Sequence, residues 1–270
     1  MTLFLVEVRR SLRRRAVWSL VAIALAGITV VALIAFFSSR GLDLAQLRAR
    51  DEMHPAVLVD WWVPGGGDGV LMGAAFFLLM GALIGGATVI GGEWRAGNVA
   101  TLLLWEPRRT RLFVARVAAA FACAAAIAVA LQVVLFAALL PAVLLHGTTA
   151  GATASWWLDF AAAVARLSLT TGLVAAVAAS LAFAGRSTAG AIVAVWAWLA
   201  LAETILRIHV SGARPYLVSE NLTRVLTWAD LPGAQASRSP ASAGALLAAY
   251  TVAAAAGAAW SFSRRDVVVG

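Results

Sequence analysis

Gly91 to Arg116 reads GGEWRAGNVATLLLWEPRRTRLFVAR, and it is the one substantial polar interval on the arginine-rich side of a chain otherwise made of long apolar runs. Gly91 and Gly92 release the chain from the apolar run before them. Glu93 then stands where a helix is expected to begin, a place where the unpaired N–H groups and the positive end of the dipole favour a carboxylate. From Trp94 to Trp105 the residues can continue as a helix, with Trp94, Leu102 and Trp105 roughly on one side. Gly97 weakens that helix by about 1 kcal/mol relative to alanine. Pro107 pushes Glu106 out of the helical region and ends it. Arg108, Arg109, Arg111 and Arg116 follow, just ahead of the next apolar run. Such a segment is either a short helix that touches a soluble partner or a loop whose arginines fix orientation and meet anionic headgroups.

Working outward, the composition decides the solvent. The chain has 270 residues, 62% of them hydrophobic and 13% charged, with a mean hydropathy of +0.89. Soluble domains are about a quarter charged, so this is an integral membrane protein. The formal charge is +8 and the pI about 11.4, yet no lysine occurs and every basic residue is arginine. A basic balance can signal nucleic acid. Here the arginines cluster beside apolar runs, which points to orientation and anionic lipid instead. The single cysteine, Cys123, lies inside an apolar run and reads as a small buried residue, with no partner for an intrachain disulfide.

A bilayer core about 30 Å thick needs about 20 apolar residues in helix. Six stretches meet that length, at about 16–37, 69–90, 113–140, 159–184, 187–208 and 243–262. The first could be mistaken for a secretory signal, but it is longer than a signal core and no small-x-small cleavage pattern follows at Ser38, so a retained span is expected. The intervening loops alternate in character. Arginines dominate one side, at the N-terminus and at Arg95, Arg108, Arg109, Arg111, Arg116, Arg186, Arg264 and Arg265. On the other side Arg40, Arg48 and Arg50 are offset by Asp43, Asp51, Glu52, Asp60 and Asp68, and Arg214 and Arg224 by Glu220 and Asp230. The positive-inside rule then places both termini in the cytoplasm.

Several local features sharpen this outline. Thr2 to Arg15 carries Leu5, Val8 and Leu12 at helical spacing among arginines, an amphipathic helix suited to the headgroup layer. Trp61 and Trp62 suit an interfacial aromatic belt. Gly69, Gly73, Gly81 and Gly85 in span two, and Ala249, Ala253 and Gly257 in span six, recur at four-residue spacings that let helix backbones approach, though chance produces such spacings in an alanine-rich chain. Arg166 in span four, with Glu203 and Arg207 in span five, are the ionisable residues deep in apolar stretches. Arg166 and Glu203 each lie roughly 10 Å from the external end of their spans. Charge at that depth needs a partner, so Glu203 is expected to pair with Arg207 or, across helices, with Arg166. Between spans five and six, Ser219 can cap a short helix whose apolar stripe is Leu222, Val225, Leu226 and Ala229.

The run Glu93-x-x-x-Gly97-Asn98, Thr101-Leu102-Leu103, Glu106-Pro107-Arg108-Arg109-x-Arg111 resembles the cytoplasmic segment between spans two and three of ABC-2-type transporter permeases. The motif covers about a tenth of the chain, and the six-span topology extends the likeness over all of it. Asn98 stands where the family usually has threonine. The resemblance implies an all-α polytopic membrane protein, a single transmembrane domain over residues 1–270. It also implies an N-terminal interfacial elbow helix, a cytoplasmic coupling helix over 91–112 and an external re-entrant helix between spans five and six. It assigns docking of a separate ATPase subunit to Glu93, Trp94, Arg95, Gly97, Asn98, Thr101, Leu102, Leu103, Pro107, Arg108, Arg109 and Arg111. ATP and Mg²⁺ would be bound by that partner and no cofactor by this chain. A second permease copy or paralogue would complete the pathway in a bacterial plasma membrane. An amphiphilic substrate (drug, peptide or lipid-like) entering from the bilayer is compatible with the apolar spans.

Some chemistry is excluded. Without lysine there is no Walker A motif, so the chain itself is not expected to be an enzyme of the P-loop type. His54, His146 and His209 lie apart and form no zinc pattern. Two other classes compete with transport. Glu203-x-x-x-Arg207 resembles the second half of the motif of prenyl-protease-like intramembrane proteases, although Ala202 precedes it where that family has glutamate and no histidine lies within a span. A membrane scaffold or immunity protein would share the topology with no transport.

Overall fold

The computed structural model describes residues 3–41, 43, 52–63, 69–97, 102, 104, 106, 108–210, 212–229 and 238–264. Among them the chain is helical apart from turns and one isolated bridge, Val57 to Thr148. Six helices are long and apolar enough to cross a membrane, the architecture of a multi-pass membrane protein. A short helix α1 (Leu3–Leu12) leads into α2 (Arg15–Ser38), then α3 (Val70–Arg95), α4 (Arg109–His146) and α5 (Ala154–Gly185). The fifth span comprises α6 (Thr188–Ala197), a π-helical turn (Trp198–Ala202) and α7 (Glu203–His209). The short α8 (Val218–Thr227) follows, and α9 (Pro240–Arg264) completes the bundle. Each span falls within a few residues of its expected bounds.

The bundle is built around α5. Two thirds of its most apolar stretch (67%) is buried, against 6% for α2 and 11% for the fifth span, so those two spans are peripheral. Lipid tails are as apolar as leucine, so close van der Waals contact rather than expulsion of water holds the spans together. Gly86 of α3 provides one such contact: a Cβ there would meet the Ala175 carbonyl of α5 at 2.3 Å. Gly91 does the same against Thr188 at the start of α6, so alanine at either position would force helices apart.

Beyond Gly69, where a Cβ would meet the Asp60 carbonyl at 2.8 Å, the glycine and alanine stripes expected to pack do not pack within this chain. Cβ atoms at Gly73 and Gly81 would meet nothing within 4 Å, and one at Gly85 only the tip of Leu20. Ala249, Ala253 and Gly257 face outward, whereas Ala243, Leu247, Thr251, Ala258 and Phe262 carry the buried side of α9. Stripe spacing alone cannot say which face meets a neighbour. Trp61 and Trp62 also depart from expectation, since both are 2% exposed rather than interfacial. Trp61 stacks on Phe136 and donates its indole N–H to the Pro55 carbonyl, and the Trp62 carbonyl accepts from Trp156. They plug the far end of the bundle, opposite the arginine-rich end.

The largest correction concerns the segment from Gly91 onward. The glycines do not release the chain, because α3 runs unbroken through them to Arg95. Glu93 therefore sits in the last turn of a helix, not in the first. Gly97 does not weaken a helix interior; at φ +68° just past the cap residue Ala96, it ends α3. That is the left-handed position glycine fills at helix C-termini, and here its N–H returns to the Trp94 carbonyl. Leu102 and Leu104 are helical, and the Glu106 N–H bonds the Leu102 carbonyl four residues back. Asn98, Thr101, Leu103, Trp105 and Pro107 lie outside the described residues, as does the side chain of Arg95.

Candidate functional site

Putting a glutamate at the C-terminal end of α3 is unfavourable for the helix dipole, so something else must hold it. Three arginines do. Glu93, 2% exposed, is ion-paired with Arg14 and Arg116, and with Arg10 at 2.9 Å. Glu7 of α1 completes the cluster, 3.1 Å from Arg116 Nε and 3.7 Å from Arg10. Three guanidinium groups thus face two carboxylates, drawn from α1, the α1–α2 junction, the end of α3 and the second turn of α4. Arg116 is itself 2% exposed and lies over the Phe183 ring of α5, 5.9 Å from its centroid. Burial pushes the Arg14 guanidinium down to about 10, aided by the charges of Arg116 and Arg10, so it still carries its charge at neutral pH. A cleft of about 420 Å³ lined by Arg10, Arg14, Arg15, Thr88 and Thr188 opens beside the cluster.

This network inverts the usual logic of α1. Its buried residues are polar, Glu7 and Ser11, while Phe4, Leu5, Val6 and Leu12 face outward. An outward apolar face suits a helix wetted by lipid, and the inward carboxylate ties it to the bundle.

The remaining residues expected to dock a partner divide into two groups. Trp94 and Arg109 turn inward: Trp94 packs edge-on against Phe262 of α9 under the Arg186 guanidinium, and Arg109 donates to the Phe262 carbonyl. They brace the last turn of α9. Leu102 is half-buried, Arg108 is exposed, and Arg111 reaches Glu106 at 3.1 Å; beside them Leu104, which was not among the expected residues, is 84% exposed. The structure thus offers Leu104, Arg108 and Arg111 as surface and keeps Glu93, Trp94 and Arg109 as framework.

At the far end, Glu203 makes neither of the pairs expected for it. Its carboxylate, 1% exposed, accepts the backbone N–H groups of Val218 at 2.6 Å and Ser219 at 3.0 Å, and the Trp198 indole N–H at 3.3 Å. It caps the N-terminus of α8 from another element, because Leu217 at the cap position has no side-chain acceptor and Ser219 lies inside the helix. The π-turn before it, in which Glu203 N–H bonds the Trp198 carbonyl five residues back, belongs to a class often found at functional positions. Arg207 instead donates to Ser219 Oγ at 3.0 Å and approaches Glu220 at 3.7 Å. Arg166 lies over the rings of Trp228, 4.5 Å away, and Trp62, 5.6 Å away, so its depth is balanced by cation–π contact rather than by a carboxylate of span five. Sequence reasoning missed Arg10, Arg14 and Arg116 as partners of Glu93, and Glu7 as the second carboxylate that Arg10 and Arg116 share; the acidic residue in an arginine-flanked N-terminal helix was the available signal.

No group of three or more metal-ligating side chains occurs among the described residues. The chain matches no protein-family model and no curated protein.

Proposed function

We propose that this chain is the transmembrane permease subunit of an ATP-driven exporter of the ABC-2 type, working with a separate ATPase subunit and a second permease copy or paralogue. The arginine-rich end, with both termini, faces the cytoplasm of a bacterial cell. The observation that carries the reading is the buried cluster of Glu7, Arg10, Arg14, Glu93 and Arg116. It joins α1, α3 and α4, with Glu93 near the start of the segment to which the resemblance assigns docking and Arg116 just after its end. A partner pressing on the exposed Leu104, Arg108 and Arg111 would move three elements as one, the mechanical link a coupled transporter requires. In this reading α1 is the elbow helix, and α8 is the outer closure held by Glu203. The substrate is an amphiphile that enters from the bilayer.

The test is co-purification from native membranes of the tagged chain with a subunit that carries a Walker A lysine and hydrolyses ATP. Leu104→Glu and Arg108→Glu alter surface side chains only, so thermal stability should hold while retained ATPase falls by roughly ten-fold or more, the equivalent of about 1.4 kcal/mol. Wild-type chain that carries no such subunit contradicts the proposal.

A further inference from the structure

Arginines scattered along a membrane surface attract anionic lipid diffusely. The cleft of about 420 Å³ beside the Glu93 cluster gathers them at one point instead. Arg10 from the end of α1, Arg14 and Arg15 from the start of α2, Gly92 from α3 and Thr188 from α6 all line it. Its volume lies within the range of small-molecule sites, commonly about 300–1,000 Å³.

The charges there do not balance. Glu93 is the one carboxylate lining the cleft among the described residues, and it is already covered, Oε1 by Arg10 and Arg14 and Oε2 by Arg116. Arg15 is exposed and pairs with no carboxylate among the described residues. Four guanidinium groups, those of Arg10, Arg14, Arg15 and Arg116, thus stand against Glu7 and Glu93. The Arg14 guanidinium registers the excess, since the charges of Arg116 and Arg10 add to burial in lowering its pKa.

The donors can also be reached. The Arg10 and Arg14 side chains keep 32% and 21% of their surface exposed. Glu93 engages Arg14 through Nη2, while Nη1 stands over Gly92, 3.8 Å from where a Cβ there would lie. Gly92 therefore leaves the floor of the cleft open beneath a guanidinium edge. Guanidinium forks with a hydroxyl nearby, here that of Thr188, suit the several oxygens of a phosphate. The depth points to a lipid as its carrier. Arg15 is the first residue of the peripheral α2, and one turn on Trp18 is 61% exposed, an amphipathic ring placed as at a membrane interface.

We infer that this cleft binds the phosphate of an anionic glycerophospholipid from the leaflet on the arginine-rich side, its acyl chains lying in the bilayer beside α2. Arg14 and Arg15 hold the phosphate oxygens. The inference does not depend on the transport reading, because the cleft is complete within one chain.

The full chain, delipidated in dodecyl maltoside, is titrated with phosphatidylglycerol, phosphatidylcholine or oleate, and retained lipid is counted by native mass spectrometry. Phosphatidylglycerol should bind about ten-fold tighter than phosphatidylcholine, whose choline cancels the charge, or oleate, which lacks the phosphate. Arg15→Gln should weaken it about five-fold. Arg13→Gln, the same charge change at an exposed residue outside the cleft, should leave it within about two-fold. Gly92→Leu, which keeps every charge and fills the floor, should abolish the preference for phosphatidylglycerol. Equal binding of the three lipids would overturn the inference. So would equal losses in the two arginine variants, which would mean diffuse attraction, or a preference that survives Gly92→Leu. Displacement of the lipid by equimolar sn-glycerol 1-phosphate would make the ligand a soluble phosphate ester and overturn the lipid source. If Gly92→Leu loses its thermal transition, the contrast between the two arginine variants decides. The assay contains no ATPase, so its failure leaves the co-purification test standing, and the reverse.

Discussion

Glu93 and Glu203 are both almost fully buried, at opposite ends of the same bundle, and they are neutralised by different means. Glu93 is held by three guanidinium groups from three other parts of the chain. Glu203 is held by two backbone N–H groups and an indole, with no cation among the described residues. The difference is one of consequence when the tie is cut. Removing a member of a buried ion cluster strands a charge where water is scarce. Losing a helix cap costs less and frees one short element. The arginine-rich end is thus a fixed joint between α1, α3 and α4, and the far end is a latch on α8.

The largest effect that could break this contrast lies in the cluster. Arg116→Met leaves Glu7 and Glu93 short of a partner and should cost about 3–5 kcal/mol. Thermal unfolding in detergent would show it, together with faster proteolysis of α1; an unchanged melt would mean that the cluster is no joint. Glu203→Gln should be milder, about 1–3 kcal/mol, because the amide keeps one acceptor and turns a donor toward the α8 amides. Hydrogen exchange should rise at Val218 and Ser219 while amides of α3 and α4 stay protected. Uniform loss of protection would show that the far end is as rigidly joined as the near one. Next comes Arg166→Met, which removes cation–π contact with Trp228 and Trp62 and should lower stability by about 0.5–2 kcal/mol. No change on melting would assign Arg166 to solvent rather than to the latch.

The smallest effect is one of pH. His54, in the far-end loop, accepts the Ala56 N–H at Nδ1, which requires that nitrogen to be unprotonated. Burial holds its pKa below the usual 6.5, against the opposing pull of Asp60. The unfolded chain therefore binds more protons in the window just below 6.5, and stability falls as pH drops through it, levelling once the folded pKa is passed. His54→Asn should flatten this slope, which pH-resolved melts would detect.

The membrane class, the six spans and the short helix after span five were legible in the sequence, because apolar length is a local property that survives any packing. The partners of Glu93 were not. Arg14 lies 79 residues away and Arg116 belongs to the next span, so only the fold brings them together. The direction of the helix at Glu93 was misread for a local reason: two glycines looked like a break, whereas Gly91 is small because Thr188 lies against it. Glu203 was sought a side-chain partner, and backbone N–H groups leave no mark in a sequence. The empty side of α3 was equally hidden, since a glycine stripe reads the same whether it faces a helix or a hollow.

Accessibility of Leu104 tests the account most directly. With Cys123→Ala removing the native thiol, Leu104→Cys is exposed to a membrane-impermeant maleimide on intact cells and again after permeabilisation. The account predicts labelling only after permeabilisation, with the cluster and its segment turned toward the cytosol, where an ATPase would press on them. Labelling on intact cells would put that end outside and contradict it.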